Sequence, residues 1–256
     1  MDHELKADLN ALRGVRVYFG HQSVGGNILD SLNALSRDAA TPLNIASPET
    51  VAGLPSFFAE SAIGQNSEPD TKCVAFRQQI EKMKGQVDIA LMKFCYIDFN
   101  IDSQPGDILE HYARAVETIR KQYPSLTLVH VTAPLKSSSS GLKRMVKDLL
   151  GRPDPARIAN LKRCRFNELL KERYRGEPLF DLAAVESTGP NGRKNSFDLN
   201  GQTVFSLAPE YTSDGGHLND LGGRAVARQF VRVLAQVARQ RQGSPVARGS
   251  LSALDH

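Results

Sequence analysis

Short apolar runs alternate with stretches of helical spacing along most of this chain, and that alternation is the tightest constraint on its fold. Runs at 15–20, 43–46, 87–92, 126–131 and 179–182 each read as a strand. Between and after them, Ile28, Leu29, Leu32 and Leu35, then Cys73, Phe76, Ile80 and Met83, then Ile108, Tyr112, Ala115 and Ile119, and later Ile158, Leu161 and Leu169 recur as one helical face. Strands separated by helices run parallel, cross over right-handedly and bury both faces of their sheet. The expectation is an α/β protein, a three-layer α/β/α sandwich around a mainly parallel sheet of five strands.

Breaks in the pattern fall at turn-forming residues. Pro48, Gly53, Pro55 and Gly64 mark a long loop region reaching Asp70, able to line a site. Ser137, Ser138, Ser139 and Ser140 open an excursion, and 188–213 reads as a long loop carrying a small hairpin near 202–207. A closing helix follows, with Leu221, Val226, Phe230, Leu234 and Val237 as its apolar stripe and Arg224, Arg228 and Arg232 as a basic one. From 242 the chain offers few apolar anchors, so the expectation is one domain over 1–241 and a flexible tail over 242–256.

With 41% hydrophobic residues among 256, the chain can bury one sizeable core. A net charge of +4 argues against a dedicated nucleic-acid binder, and the basic excess over 136–175 reads as a solvated helical surface or as a flank for an acidic polysaccharide. Cys73, Cys95 and Cys164 are isolated and odd in number, which fits a reducing compartment and offers neither a complete disulfide framework nor a zinc pair. No basic start followed by an apolar run opens the chain, and no stretch approaches the roughly 20 apolar residues of a membrane span. The sequence as written reads as cytoplasmic; prior removal of an export signal would leave the same sequence in a periplasmic or secreted protein. No motif calls for a metal or another cofactor.

The chemistry concentrates in two places. Gly20-His21-Gln22-Ser23-Val24-Gly25-Gly26-Asn27 ends the first strand in a serine among glycines and runs into a helix, where backbone N–H groups face outward. Far downstream, Asp214-Gly215-Gly216-His217 sets a carboxylate three residues before an imidazole. A serine hydroxyl is a poor nucleophile until an imidazole takes its proton and a carboxylate fixes the imidazole tautomer, so Ser23, His217 and Asp214 are the candidate triad. Each fragment alone reads as a turn or loop; their combination, order and strand context point to catalysis. His21 reads as a structural histidine, or as an oxyanion or metal contact. Lys93 and Tyr96 read as pocket lining or core, Cys95 as a buried thiol without a matched base, and Asp98 and Asp102 as a solvated loop and helix start.

At these residues the chain resembles the SGNH/GDSL hydrolase superfamily, with Gly20 to Ser23 as the first block and Asp214 to His217, followed by Asn219, Gly222 and Gly223, as the last. The resemblance spans 15–237 and implies a flavodoxin-like sheet, esterase, lipase or acyltransferase activity, Ser23 as nucleophile, His217 as base and Asp214 as its orienting partner. Two blocks depart from the pattern. The first reads Gly-His-Gln-Ser, and the third, near Lys93-Phe94-Cys95-Tyr96, has no asparagine. Gly64 and Asn66 in one loop, together with the Val24 N–H, are the substitute oxyanion donors, with His21 and Tyr96 as further oxyanion or substrate contacts. The leading expectation is a serine ester hydrolase acting on a small-molecule or carbohydrate ester. Its alternatives are an acyltransferase using the same triad, an inactive glycan-binding or scaffold domain, and, more distantly, a metal-dependent phosphohydrolase using His21, Asp214 and His217.

Overall fold

The computed structural model describes residues 3–138 and 154–243. In chain order the elements are α1 (His3–Leu12), β1 (Arg16–His21), α2 (Val24–Asp38), β2 (Ile45–Ala46), β3 (Phe57–Ala62), α3 (Pro69–Lys82), β4 (Ile89–Met92), α4 (Pro105–Gln122), β5 (Thr127–Val131), α5 (Pro155–Arg173), β6 (Leu179–Phe180), α6 (Leu182–Glu186), β7 (Ser196–Leu199), β8 (Gln202–Phe205) and α7 (Asp220–Gly243). The sheet order is β2-β3-β1-β4-β5-β6. Every pair in it is parallel, and β1 lies between β3 and β4.

The sheet therefore has six strands where the sequence predicts five. The extra strand is β3, inside the segment that reads as a loop. Its second half, Glu60 and Ser61, is polar because Glu60 accepts from His21 and Ser61 bonds Tyr18, both on the neighbouring strand. A small hairpin forms, but earlier than expected: it pairs β7 with β8, so the expected range holds only its second strand, and Asn200 and Gly201 at its turn both have positive φ, at 55° and 81°, as the tight turn requires.

Alternation along β1 sends Val17 and Phe19 to one face and Tyr18 to the other. The first face is covered by α1, α2 and α7, the second by α3, α4 and α5. On α5 the residues picked out by spacing, Ile158, Leu161 and Leu169, are only half-buried; the buried side carries Asn160, Arg163, Phe166, Asn167 and Leu170. Leu221, expected on the apolar stripe of α7, is exposed. In the basic stripe of that helix, Arg224 pairs with Asp38 and Arg232 with Glu4, which ties it to α2 and α1. Most of the serine excursion and most of the tail lie outside the described residues. No described helix is long and apolar enough to cross a membrane.

Candidate active site

From β1 the chain steps through α2 and β2 to β3 on one side, then through α3 to β4 on the other. The topological switch of the sheet thus falls at β1, and in open parallel sheets ligands bind beyond the carboxyl ends of the strands at such a point. Ser23 stands there, two residues past the end of β1 and immediately before α2, and is exposed. Its backbone has φ 31° and ψ −92°, a conformation that L residues rarely adopt. Such a conformation costs about 1–3 kcal/mol, which the surrounding strand-to-helix turn offsets. The next residue, Val24, opens α2, so its N–H belongs to the first turn, where donors have no partner inside the helix.

Asp214 and His217 share a short loop pinched by a bridge between Thr212 and Leu218. Asp214 Oδ1 accepts the N–H groups of Gly216 and His217, each at 2.8 Å, and Oδ2 accepts His217 Nδ1–H at 2.6 Å. These bonds, the ring contact first, hold the Asp214 carboxyl well below the usual carboxylate range. Because Nδ1 carries the proton, Nε2 presents its lone pair, the tautomer a general base requires. Asn219 then caps the next helix by accepting from Gly222 N–H at 3.0 Å, and α7 runs off alongside α2. Close approach of the two helices depends on Gly223, since a Cβ there would collide with the Ser31 hydroxyl and lie 3.5 Å from the Asn27 carbonyl oxygen. Asn27 is four residues beyond Ser23 and Gly223 six beyond His217, so this contact lies within two helical turns of each in sequence.

Tyr96, from the 3₁₀ turn Tyr96–Asp98 after β4, packs beside the His217 ring. Its hydroxyl lies 3.3 Å from His217 Nε2, and the two rings meet edge to face at 5.6 Å. The turn is heavily anchored. Arg163, buried on α5, donates to the Tyr96 carbonyl at 2.9 and 2.7 Å, and Asp98 accepts from Cys95 N–H at 2.6 Å. Asp98, expected in solvent, is buried: both its oxygens accept from Lys72 Nζ at 2.6 Å, and Oδ1 also accepts from Ser67 N–H at 3.0 Å. Asp102 is exposed. Lys93 is fully enclosed, with its ammonium on the Phe94 carbonyl at 3.3 Å and Cys95 Sγ at 3.7 Å, and burial pushes its pKa down. Cys95 is buried and unbridged.

The remaining candidates lie on the β3 side. Gly64 has φ 56°, and a Cβ there would strike the backbone of Lys72, so glycine is required. Gln22, beside Ser23, donates its amide to the carbonyls of Ile63 and Gly64 at 2.9 and 2.5 Å, which fastens this loop to the serine turn. Asn66 is exposed, and its Oδ1 accepts from Lys72 Nζ at 3.2 Å. His21 is buried, donates Nε2–H to Glu60 at 2.9 Å and packs on Phe19; its Nδ1 has no partner, and a Cβ at Gly25 would lie 2.6 Å from that atom. Burial, opposed by Glu60, lowers the His21 pKa. Among the described residues no group of three or more metal-ligating side chains forms. Gln22, Glu60, Lys72 and Arg163 escape sequence reading because each acts on a partner at least 26 residues away.

No protein-family model matches the sequence, and no curated protein matches it either. Solved structures do match. One is a candidate GDSL-like lipase from Parabacteroides merdae, with a TM-score of 0.54 and 10% identity, over 86% of this chain and 95% of that one. Another is a candidate lipolytic protein of the G-D-S-L family from Desulfitobacterium hafniense, with a TM-score of 0.50 and 9% identity, over 86% and 99%. At such identities what is shared is the fold.

Proposed function

We propose that this chain, which has the fold of the SGNH/GDSL hydrolases, is a serine ester hydrolase. Ser23 Oγ attacks the acyl carbon while its proton passes to His217 Nε2, and Asp214 holds the imidazole and stabilises its charged form. His217 returns the proton to the departing alcohol, and water resolves the acyl-enzyme by the same route in reverse order. The first-turn amide of Val24, the Gly64 N–H and the Asn66 amide are the donors for the oxyanion. His21 buttresses the serine turn from beneath through Gly25. The observation that carries the reading is the 2.6 Å bond from His217 Nδ1–H to Asp214, which leaves the Nε2 lone pair able to accept a proton. That the two structural neighbours are described as a lipase and a lipolytic protein supports ester bonds as the target.

The acyl group and the alcohol remain part of the proposal, with an O-acetyl carbohydrate as one candidate. A non-catalytic binding domain is the second reading, favoured by the absence of an asparagine from the block Lys93-Phe94-Cys95-Tyr96. Hydrolysis of p-nitrophenyl esters of graded chain length by the wild type, lost in Ser23→Ala, is expected. Folded Ser23→Ala with near-wild-type turnover would overturn the esterase reading, and a wild type inert to every ester would favour the second.

A further inference from the structure

We propose that the Tyr96 hydroxyl is a catalytic group acting on the leaving oxygen, and that the site is built for esters of unactivated alcohols; this rests on the Ser23, His217 and Asp214 reading above. His217 Nε2 is the atom that takes the proton of Ser23 and hands it to the departing oxygen. Since Asp214 occupies Nδ1–H, Nε2 has one lone pair, and in this structure the hydroxyl bonded to it is that of Tyr96, at 3.3 Å. A hydroxyl resting there marks the place that the alcohol oxygen takes later. The oxyanion donors come from elsewhere: Val24 opens α2, and Gly64 and Asn66 follow β3, whereas Tyr96 follows β4 on the other side of β1.

The phenol is held for such a role. Arg163 grips its carbonyl with two N–H groups, and its ring fills the space left by Gly216, where a Cβ would fall 2.9 Å from Cζ. The Lys136 ammonium stands 5.2 Å over the ring face. Burial, reinforced by the Asp214 charge, raises the Tyr96 pKa, so the O–H stays a donor.

In the forward step Ser23 Oγ bonds to the acyl carbon and its proton moves to Nε2, which releases Tyr96 O–H from that lone pair. When the carbon–oxygen bond of the ester breaks, its electron pair stays on the alcohol oxygen. That oxygen receives the Nε2 proton while accepting a hydrogen bond from Tyr96, which keeps its own proton throughout. An alkoxide is strongly basic and needs both contacts; p-nitrophenolate leaves with little help. Alcohols such as sugar hydroxyls therefore profit from Tyr96 and activated phenols do not.

The test is Tyr96→Phe, which keeps the ring against Gly216 and Lys136, assayed with acetate esters of alcohols and phenols of graded basicity. The expected result is that kcat/KM falls about 10- to 100-fold for alkyl acetates, the worth of one hydrogen bond to a developing charge, and several-fold less for p-nitrophenyl acetate. The dependence on leaving-group basicity thus steepens. Equal loss across the series would assign Tyr96 to the oxyanion or to structure, and no loss or a gain would make it a mere occupant of Nε2; either overturns the proposal. Retained turnover in Ser23→Ala would instead overturn the reading beneath it.

Discussion

Removing the Asp98 carboxylate tests how the site is held in place. Lys72 and Asp98 are buried together, each with a side-chain exposure of 0%, and the ammonium meets both oxygens at 2.6 Å. The carboxylate also accepts Cys95 N–H and Ser67 N–H, so it ties the turn bearing Tyr96 to the loop bearing Asn66. In Asp98→Ala the Lys72 ammonium keeps only Asn66 Oδ1, at 3.2 Å, in a site without solvent. Breaking one partner of a buried pair leaves an uncompensated charge and costs about 3–5 kcal/mol, a large part of the roughly 5–15 kcal/mol that holds a domain folded. Lys72→Met should cost a comparable amount, but the double variant should cost clearly less than the sum, because no lone charge remains. Equilibrium urea denaturation of the four proteins measures this. A loss below about 1 kcal/mol in Asp98→Ala, or additive losses, would refute the claim that this pair anchors the site.

Three further outcomes are expected. His217→Ala should lose as much ester turnover as Ser23→Ala and Asp214→Asn less, with the Ser23→Ala/His217→Ala double variant no worse than either single, which kcat/KM values will show. Asn66→Ala should lower kcat about 100- to 1,000-fold with little change in KM, since an oxyanion donor senses charge only in the transition state; a rise in KM alone would assign Asn66 to substrate binding. Glu186 is buried, bonded by Leu135 N–H at 2.6 Å, and burial pushes its carboxyl up to about 8. Its folded-state pKa lies above the unfolded one, so the folded protein holds the extra proton and this contribution to stability falls as pH rises from about 4.5 towards 8. Urea midpoints across that range should fall less in Glu186→Gln than in the wild type.

Elements whose signal is local are legible in the sequence, and those that depend on distant partners are not. The helical face of α4 and the strand β5 follow from periodicity alone. By contrast β3 hides between Pro55 and Gly64 with a glutamate and a serine in its second half, because their partners sit on β1. Asp98 reads as solvated until Lys72, 26 residues away, is brought against it. The buried side of α5 mixes Phe166 and Leu170 with Asn160, Arg163 and Asn167, which serve backbone groups of the loops after β5 and β4, so apolar periodicity misleads there. Within the site, spacing alone pairs Asp214 with His217, and turn residues single out Ser23. The contact of Tyr96 with His217 spans 121 residues and belongs to the tertiary fold.

Treatment with a serine-reactive fluorophosphonate followed by mass spectrometry tests the central claim most directly, since an activated serine reacts where an ordinary hydroxyl does not. The expected result is a single adduct mapped to Ser23, absent in Ser23→Ala and strongly slowed in His217→Ala. An unlabelled folded protein, or an adduct on another residue, would contradict it.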